Sequence, residues 1–383
     1  MKKNKVAVSV FFIAFAVGLN ITGISPVLGI VNEKYQQYGT SVVQLLHTLP
    51  YLLLMLGSLI VGWWTAKTSK KKILSLGLLI IGFCGILPFF SDRFYLLFLS
   101  RLLIGFGFGI SSPLNAAVIT ELVEEENRAG YMGLHVVGMG IGTMIGNLVG
   151  GILSGFGYHF FYLVYMIAFL SWIAVQFLLP ETPPTVSEKA SGMKLNAIVY
   201  GLSAASFAHT LFINAYSTNI GIYLIQNITK DTTVTGIVTA VNAVFALLMG
   251  AFFAGISRLL KKYTVAVSVF AAAAGYGALL YIPGMAGVYL ASACCGISLS
   301  CFMAGCSMRI SVSVEPEAVA KANGIFSVVG GIGGLIGPVF MGNAASVMFG
   351  ENTAMNQFHV ACIGMTVLGM VMMLVVSRRR QSK

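Results

Sequence analysis

The sequence predicts an all-α integral membrane protein: twelve transmembrane helices in two pseudo-symmetric six-helix bundles around a central cavity. Three observations predict it. The 383-residue chain is 57% hydrophobic and 9% charged, with a mean hydropathy of +0.88. A soluble domain carries roughly 25% charged residues, so the solvent here is a lipid bilayer. Apolar runs long enough to cross one, about 20 residues each, recur between short charged segments. The chain also repeats itself at half its length.

In order, the apolar runs bounded by charge cover residues 6–30, 41–64, 72–90, 94–120, 131–154, 160–179, 195–225, 233–256, 263–282, 286–308, 322–348 and 356–376. The first follows Lys2, Lys3 and Lys5. Its apolar part is too long for the core of a signal peptide and no small-residue cleavage site follows, so it is expected to remain as the first helix. Glu33 and Lys34 close it. Lys67, Lys70, Lys71 and Lys72 separate runs two and three, and Asp92 and Arg93 separate three and four. The polar segment ETPPTVSEKASGMK, Glu181 to Lys194, separates six and seven. The expected organisation is an N-terminal half over 1–180, a cytoplasmic linker over 181–194 and a C-terminal half over 195–383.

A net charge of +11 raises the question of a nucleic-acid partner, and the placement of charge answers it. Twelve spans put both termini on one side, with nineteen lysines and arginines; the opposite loops hold only Lys34, Arg93 and Lys230. That asymmetry is the positive-inside bias. Both termini are expected in the cytoplasm, and the basic excess reads as topology rather than nucleic-acid binding. All six cysteines (Cys84, Cys294, Cys295, Cys301, Cys306, Cys362) fall inside runs without CxxC or finger-like spacing. They read as packing residues, and no metal or cofactor is expected.

The stretch GTMIGNLVGG carries Gly142, Gly146 and Gly150 at four-residue spacing. An ungapped shift of 191 residues places it on GGLIGPVFMG, pairing Gly142 with Gly333, Gly146 with Gly337 and Asn147 with Pro338. The same shift pairs Lys67 with Arg258, Lys70 with Lys261, Lys71 with Lys262, Glu124 with Glu315 and Gly133 with Gly324. Two parallel repeats of six spans are one of the architectures of secondary transporters.

At these residues the whole chain resembles the major facilitator superfamily of twelve-helix transporters. GTMIGNLVGG resembles its fifth-helix antiporter motif, gxxxGPxxGG, with Asn147 where proline is usual; GGLIGPVFMG keeps the proline as Pro338. RLLIGFG, Arg101 to Gly107, resembles its fourth-helix RxxxGxG motif. GWWTAKTSKKK resembles the loop motif between helices two and three, keeping Gly62, Lys67, Lys70 and Lys71 but carrying Ala66 at the usual aspartate position. The resemblance implies alternating access by a monomer in a cytoplasmic, bacterial membrane. It also implies that helices five and eleven meet where the halves touch, so the glycine faces are expected to be smooth gating surfaces. The departure at Ala66 implies a cytoplasmic lock built differently.

In such a fold the first two helices of each three-helix unit border the cavity. Polar stripes at 100° per residue place Ser203, Ser206, Thr210 and Asn214 on one face of run seven, and Thr235, Thr239 and Asn242 on one face of run eight. The repeat maps the latter onto Gln44, Thr48 and Tyr51. Run four aligns Arg101, Ser112 and Asn115; run one adds Thr22 and Ser25, with Asn20 opposite. The candidate cavity set is therefore Arg101, Asn115, Gln44, Thr48, Tyr51, Thr210, Asn214, Thr239 and Asn242. Each has a plainer reading: serine and threonine bond back to their own helix, and amides tie helices together.

Arg101 lies about 10 Å into its span at 1.5 Å per residue, where a bare guanidinium costs about 2.5–3.5 kcal/mol or more. It requires a partner, either Asn20 or a free carbonyl of run one for a packing role, or an anionic substrate group for a functional one. All twelve acids fall at helix ends or in loops, so the carboxylate of cationic-drug exporters is missing. His209, deepest of the histidines, is the candidate proton site. The expected function is secondary transport of a small neutral or anionic organic molecule, by efflux against protons. The alternative is uptake or facilitated diffusion. No GxSxG, HExxH or buried His–carboxylate pair points to an enzyme.

Overall fold

The computed structural model describes residues 2–19, 23–182, 184, 196–315 and 318–378. Expectations for Asn20 and Thr22, for most of the linker 181–194, and for Glu317, Arg379, Arg380 and Lys383 fall outside them. Among the described residues there is helix and no strand. The elements are α1 (Lys2–Gly18), α2 (Leu28–Lys34), α3 (Thr40–Thr48), α4 (Pro50–Thr65), α5 (Lys70–Ile86), α6 (Phe94–Leu122), α7 (Glu125–Ser154), a 3₁₀ stretch Tyr158–Met166 and α8 (Ile167–Leu178). There follow α9 (Ala197–Asn227), α10 (Thr232–Leu260), α11 (Thr264–Tyr281), α12 (Met285–Ser311), α13 (Val319–Phe349) and α14 (Ala354–Arg378).

Ten helical stretches are long and apolar enough to cross a membrane. One of them, Thr232–Tyr281, holds both α10 and α11, which meet at Lys261 with a φ of 50°. The first expected run is split into α1 and α2, with Gly23 at a φ of 50° and Pro26 between them. Counting the split run once and the long stretch twice recovers the twelve expected crossings. Local signals fix the ends. Ser69 Oγ accepts from the Lys72 N–H at the start of α5, and Asn196 Oδ1 accepts from Ile198 and Val199 at the start of α9. Gly350, at a φ of 85°, closes α13 in the left-handed conformation.

The helices gather into two compact units. Unit 1 holds Met1–Tyr35, Leu46–Glu188 and Asp231–Ala240; unit 2 holds Gln36–Leu45, Lys189–Lys230 and Val241–Lys383. The start of α3 therefore belongs to unit 2 and the start of α10 to unit 1.

Inside unit 1 the packing of α3 and α4 against α6 is organised by two prolines. Proline has no N–H, so it leaves the carbonyl four residues earlier without its helical donor. Pro50 does this to Leu46, and the Arg101 Nε donates to the Leu46 carbonyl at 2.9 Å. Pro113, inside α6, does the same to Gly109, and Ser58 Oγ donates to that carbonyl at 3.1 Å. Each helix thus completes the backbone of the other. One end of unit 1 is tied by Asp92, which pairs with Lys34 at 2.7 Å and accepts from Tyr158 and His159. Lys34, then the Tyr158 hydroxyl, hold the Asp92 carboxyl well below its usual range.

In unit 2 the Tyr276 hydroxyl donates to the Phe212 carbonyl at 2.8 Å and accepts from the Tyr216 N–H at 3.1 Å. It stands where α9 would make its own bond between those residues, a side-chain insertion that bends a helix locally.

Arg101→Ala is expected to strip the Leu46 carbonyl of its donor and destabilise the fold by about 1–3 kcal/mol, the cost of an unsatisfied buried group. Adding Pro50→Ala restores an N–H beside that carbonyl and is expected to recover part of the loss. Thermal unfolding of the purified single and double variants checks this; no recovery would mean that the carbonyl is not what Arg101 serves.

Candidate functional site

The candidate cavity residues of unit 1 divide by what they touch. Arg101 is fully buried, held by the Leu46 carbonyl and by the Tyr165 hydroxyl at 2.5 Å. The Leu46 carbonyl lies in α3 and Tyr165 in the 3₁₀ stretch, while the expected partner Asn20 lies outside the described residues. Asn115 donates to the Val10 carbonyl at 3.0 Å and lies 2.7 Å from His135 Nδ1, while its Oδ1 is buried without a partner. Thr48 is buried with its hydroxyl unpartnered, and Tyr51 is half-buried. Thr239 bonds back to the Thr235 and Gly236 carbonyls, the plainer reading of its hydroxyl. Its own carbonyl accepts from Asn147 at 3.4 Å, so asparagine at the proline position of the motif reaches α10.

In unit 2, Gln44 enters a network of buried amides. Its Nε2 donates to Asn219 Oδ1 at 2.6 Å, Asn219 Nδ2 donates to Gln357 Oε1 at 2.8 Å, and Gln357 Nε2 donates to Asn352 Oδ1 at 2.7 Å. Asn352 Nδ2 reaches Ser41 Oγ at 3.1 Å. Asn242 donates to the Ser292 carbonyl at 2.9 Å, and the Tyr216 hydroxyl donates to Ser292 Oγ at 2.7 Å. The stripe on α9 keeps its polarity: Ser203 Oγ, Ser206 Oγ and Asn214 Nδ2 are buried and unpartnered. Thr210 bonds back to the Ser206 carbonyl at 2.7 Å. His209 is fully buried, stacked on Phe302 at 3.9 Å and 3.1 Å from Ser298 Oγ.

The glycine rows pack closely inside each unit. A Cβ at Gly142 would lie 2.1 Å from the Phe15 carbonyl of α1, one at Gly146 would meet Leu19, and one at Gly150 would meet Phe161. In unit 2 a Cβ at Gly333 would lie 2.3 Å from the Phe207 carbonyl of α9, and Gly337 faces Leu211. Gly142, Gly333 and Gly337 face backbone and Gly146 and Gly150 face side chains, each within its own unit, with Pro338 inside α13 beside the second row. The adjacent Gly151 is the one that faces α10: a Cβ there would lie 2.7 Å from the Gly236 Cα. Thr232 Oγ1 donates to the Gly151 carbonyl at 3.2 Å.

The loop motif is anchored within unit 1. Lys70, nearly buried, pairs with Glu121 at the end of α6. Lys71 Nζ donates to the Gln176 carbonyl at 2.9 Å, Lys67 lies over the Trp63 ring at 4.2 Å, and the Gly62 carbonyl accepts from Thr65. Glu121 supplies there an acid that Ala66 cannot.

Asn219, Gln357 and His135 are absent from the expected set. Asn219 sits five residues past Asn214, about 140° around the helix from it at 100° per residue, so a single-stripe search passes it by. Gln357 lies in the first turn of α14, at the edge of its apolar run. His135, in α7, is the half-buried histidine that touches a candidate cavity residue.

Apolar crossings in number, paired repeats and buried neutral polar groups define a multi-pass membrane transporter rather than an enzyme. The sequence pattern of the Major Facilitator Superfamily matches residues 10–202 and again 202–383. The chain belongs to that superfamily. Solved structures share the fold. A bacterial homologue of the human lysosomal transporter Spinster, inward-facing and unoccupied, has a TM-score of 0.80 at 15% identity, over 98% of this chain and 97% of that one. A variant of the nucleoside transporter NupG has a TM-score of 0.78 at 15% identity, over 96% and 99%. The POT family transporter PepTSo has a TM-score of 0.78 at 10% identity, over 99% and 98%. No curated protein sequence matches the chain.

Gln357→Leu is expected to strand the amides of Gln44, Asn219 and Asn352 and to lower stability by about 1–3 kcal/mol. Adding Asn219→Leu should cost less than the sum of the two single changes, because both break one network. Melting temperatures of the three variants check this.

Proposed function

We propose that this chain exports a small, neutral organic molecule across a cytoplasmic membrane by alternating access of its two six-helix halves, in exchange for protons. It acts as a monomer with both termini inside the cell. One observation carries the substrate class. Ser203 Oγ, Ser206 Oγ and Asn214 Nδ2 lie along α9 as buried hydroxyl and amide groups without internal partners. A substrate with neutral hydrogen-bonding groups satisfies them, and an unpaired buried polar group is costly until something does. Charge on the substrate has no counterpart: the described acids lie at helix ends and in loops, and Arg101 is occupied by Leu46 and Tyr165. An anionic substrate thereby loses the attraction that Arg101 was expected to provide.

Export and proton exchange rest on the resemblance of residues 142–151 to the antiporter motif. For the proton site the geometry favours His135 over His209. His135 Nδ1 accepts from Asn115 Nδ2 in the orientation shown. A proton on Nδ1 turns that acceptor into a donor, so the Asn115 amide must turn, and its unpartnered Oδ1 is available to receive it. Protonation and the orientation of a cavity residue are thus linked. His209 is enclosed by Phe302 and Ser298 and has no such partner. The contact of Gly151 with Gly236 supports a closing surface on α7 and α10.

Purified protein in liposomes with a trapped pH dye tests the reading. Neutral compounds are expected to trigger proton movement, and His135→Gln is expected to abolish it while His209→Gln retains it. Proton movement triggered only by charged compounds would overturn the substrate class. Compound movement without protons would leave facilitated diffusion, and inward accumulation in cells would leave uptake. Gly151→Leu is expected to lower transport about tenfold or more, as misplacement on the order of 1 Å does at functional contacts, in protein that remains monodisperse; unchanged transport would remove this contact from the cycle.

A further inference from the structure

A proline leaves the carbonyl four residues earlier without a helical donor, and unit 1 meets that need with side chains. The Leu46 and Gly109 carbonyls are served by Arg101 and Ser58. Two further carbonyls follow the same rule. Pro88 frees Cys84, which accepts from Ser100 Oγ at 2.6 Å, and Pro180 frees Gln176, which accepts from Lys71 Nζ at 2.9 Å. Unit 2 departs from it. Pro338 stands inside α13 and frees the carbonyl of Gly334, a buried residue to which no side chain bonds among the described residues. The repeat sharpens the contrast. The shift of 191 residues pairs Pro338 with Asn147 and Gly334 with Thr143, and Asn147 keeps the N–H that the Thr143 carbonyl needs.

We propose that the Gly334 carbonyl is the hydrogen-bond acceptor of the substrate site, and that with Asn214 Nδ2 it reads one group that both donates and accepts, an amide or a hydroxyl. This rests on the neutral substrate class argued above and adds how that class is recognised. The helices α9 and α13 run side by side in the same direction. A Cβ at Gly330 would lie 2.4 Å from Ser206 Oγ and 3.3 Å from Thr210 Oγ1, one at Gly333 would meet the Phe207 carbonyl, and one at Gly337 the Leu211 carbonyl. Gly334 is one turn on from Gly330, about 40° around α13 at 100° per residue. The matching turn of α9 carries Thr210 and Asn214. Thr210 bonds back within its own helix, so the donor left on that turn is Asn214 Nδ2, buried and without a partner. A donor and an acceptor, each unfilled, thus stand on neighbouring turns near the middle of two 31-residue helices. A ligand amide, with an N–H and a C=O on one group, fills both. Binding sites at interrupted helices with unpaired backbone groups recur among transporters. Neither group is charged, so the pair selects by hydrogen bonding alone.

The first test needs no ligand. Pro338→Ala returns an N–H to the Gly334 carbonyl, so the purified variant is expected to unfold at a higher temperature than the unmodified chain. Pro113→Ala, whose freed carbonyl Ser58 already serves, should gain less. The second test uses benzamide, N-methylbenzamide and N,N-dimethylbenzamide, which share a carbonyl and carry two, one and no N–H donors. Binding to the full-length purified chain is read from the rise of its unfolding temperature with concentration. Benzamide is expected to bind about tenfold more tightly than the dimethyl compound, the scale of one hydrogen bond to a buried acceptor. Pro338→Ala should bring that ratio close to unity. Asn214→Leu should weaken all three alike and keep the ratio, because Asn214 serves the carbonyl they share. The assignment is overturned by an absence of benzamide binding, by equal binding of the three compounds, by a ratio unchanged in Pro338→Ala, or by a Pro338→Ala gain no larger than that of Pro113→Ala. Proton movement triggered only by charged compounds would overturn the substrate class instead, and the gain of the ligand-free Pro338→Ala variant would be unaffected.

Discussion

A carbonyl that loses its N–H partner inside a bilayer cannot turn to water, and unit 1 is arranged around two such carbonyls. Only structures that satisfy every backbone polar group internally are stable in hydrocarbon. Pro50 and Pro113 each free one carbonyl, and each is met by a side chain from the facing helix, Arg101 at Leu46 and Ser58 at Gly109. The pairing is reciprocal, so α6 cannot leave α3 and α4 without exposing both. Close approach makes it feasible: a Cβ at Gly105 would lie 2.2 Å from the Pro50 carbonyl. The cost of burying a guanidinium is offset here by a backbone need of similar size.

The repeat extends from sequence to contact. Thr232 Oγ1 bonds the Gly151 carbonyl in unit 1, and in unit 2 Ser41 Oγ lies 2.2 Å from where a Cβ on Gly342 would stand. The same shift of 191 residues relates Ser41 to Thr232 and Gly151 to Gly342. A small hydroxyl residue laid over a glycine is thus used at equivalent places. The repeats differ in their polar additions. Asn147 reaches the Thr239 carbonyl where its counterpart Pro338 has no donor, and the amides around Gln357 have no equivalent among the described residues of unit 1. The repeats share packing surfaces and carry distinct polar groups on them.

What the sequence made legible follows the same division. Crossings are legible because hydropathy and charge act over twenty residues, and the repeat because glycine and lysine positions survive a single shift. The bond from Arg101 to Leu46 was not legible: Leu46 is 55 positions away, and nothing marks its carbonyl as free except Pro50, four residues on. Periodicity found the glycine rows and showed that they face something closely, but a face does not name its neighbour. The rows meet α1 and α9, while Gly151, one residue off the row, meets α10. Asn219 and Gln357 escaped because Asn219 lies off the polar stripe of α9 and Gln357 stands in the first turn of α14 without a stripe of its own.

The position of Arg101 also bears on what such a protein can carry. An ion at mid-membrane is available to a substrate only if its own hydrogen bonds are unfilled or exchangeable. Here the guanidinium completes a helix, and withdrawing it toward a ligand would expose the Leu46 carbonyl at about 1–3 kcal/mol. An anion would have to repay that before gaining any attraction. Ser203, Ser206 and Asn214 present the opposite case, since their groups have nothing to give up. On the function proposed above, selection among ligands follows from what is already satisfied: among the described residues a cation finds no acid at depth, an anion finds its arginine engaged, and a neutral molecule with a few hydrogen-bonding groups meets partners that cost nothing to free.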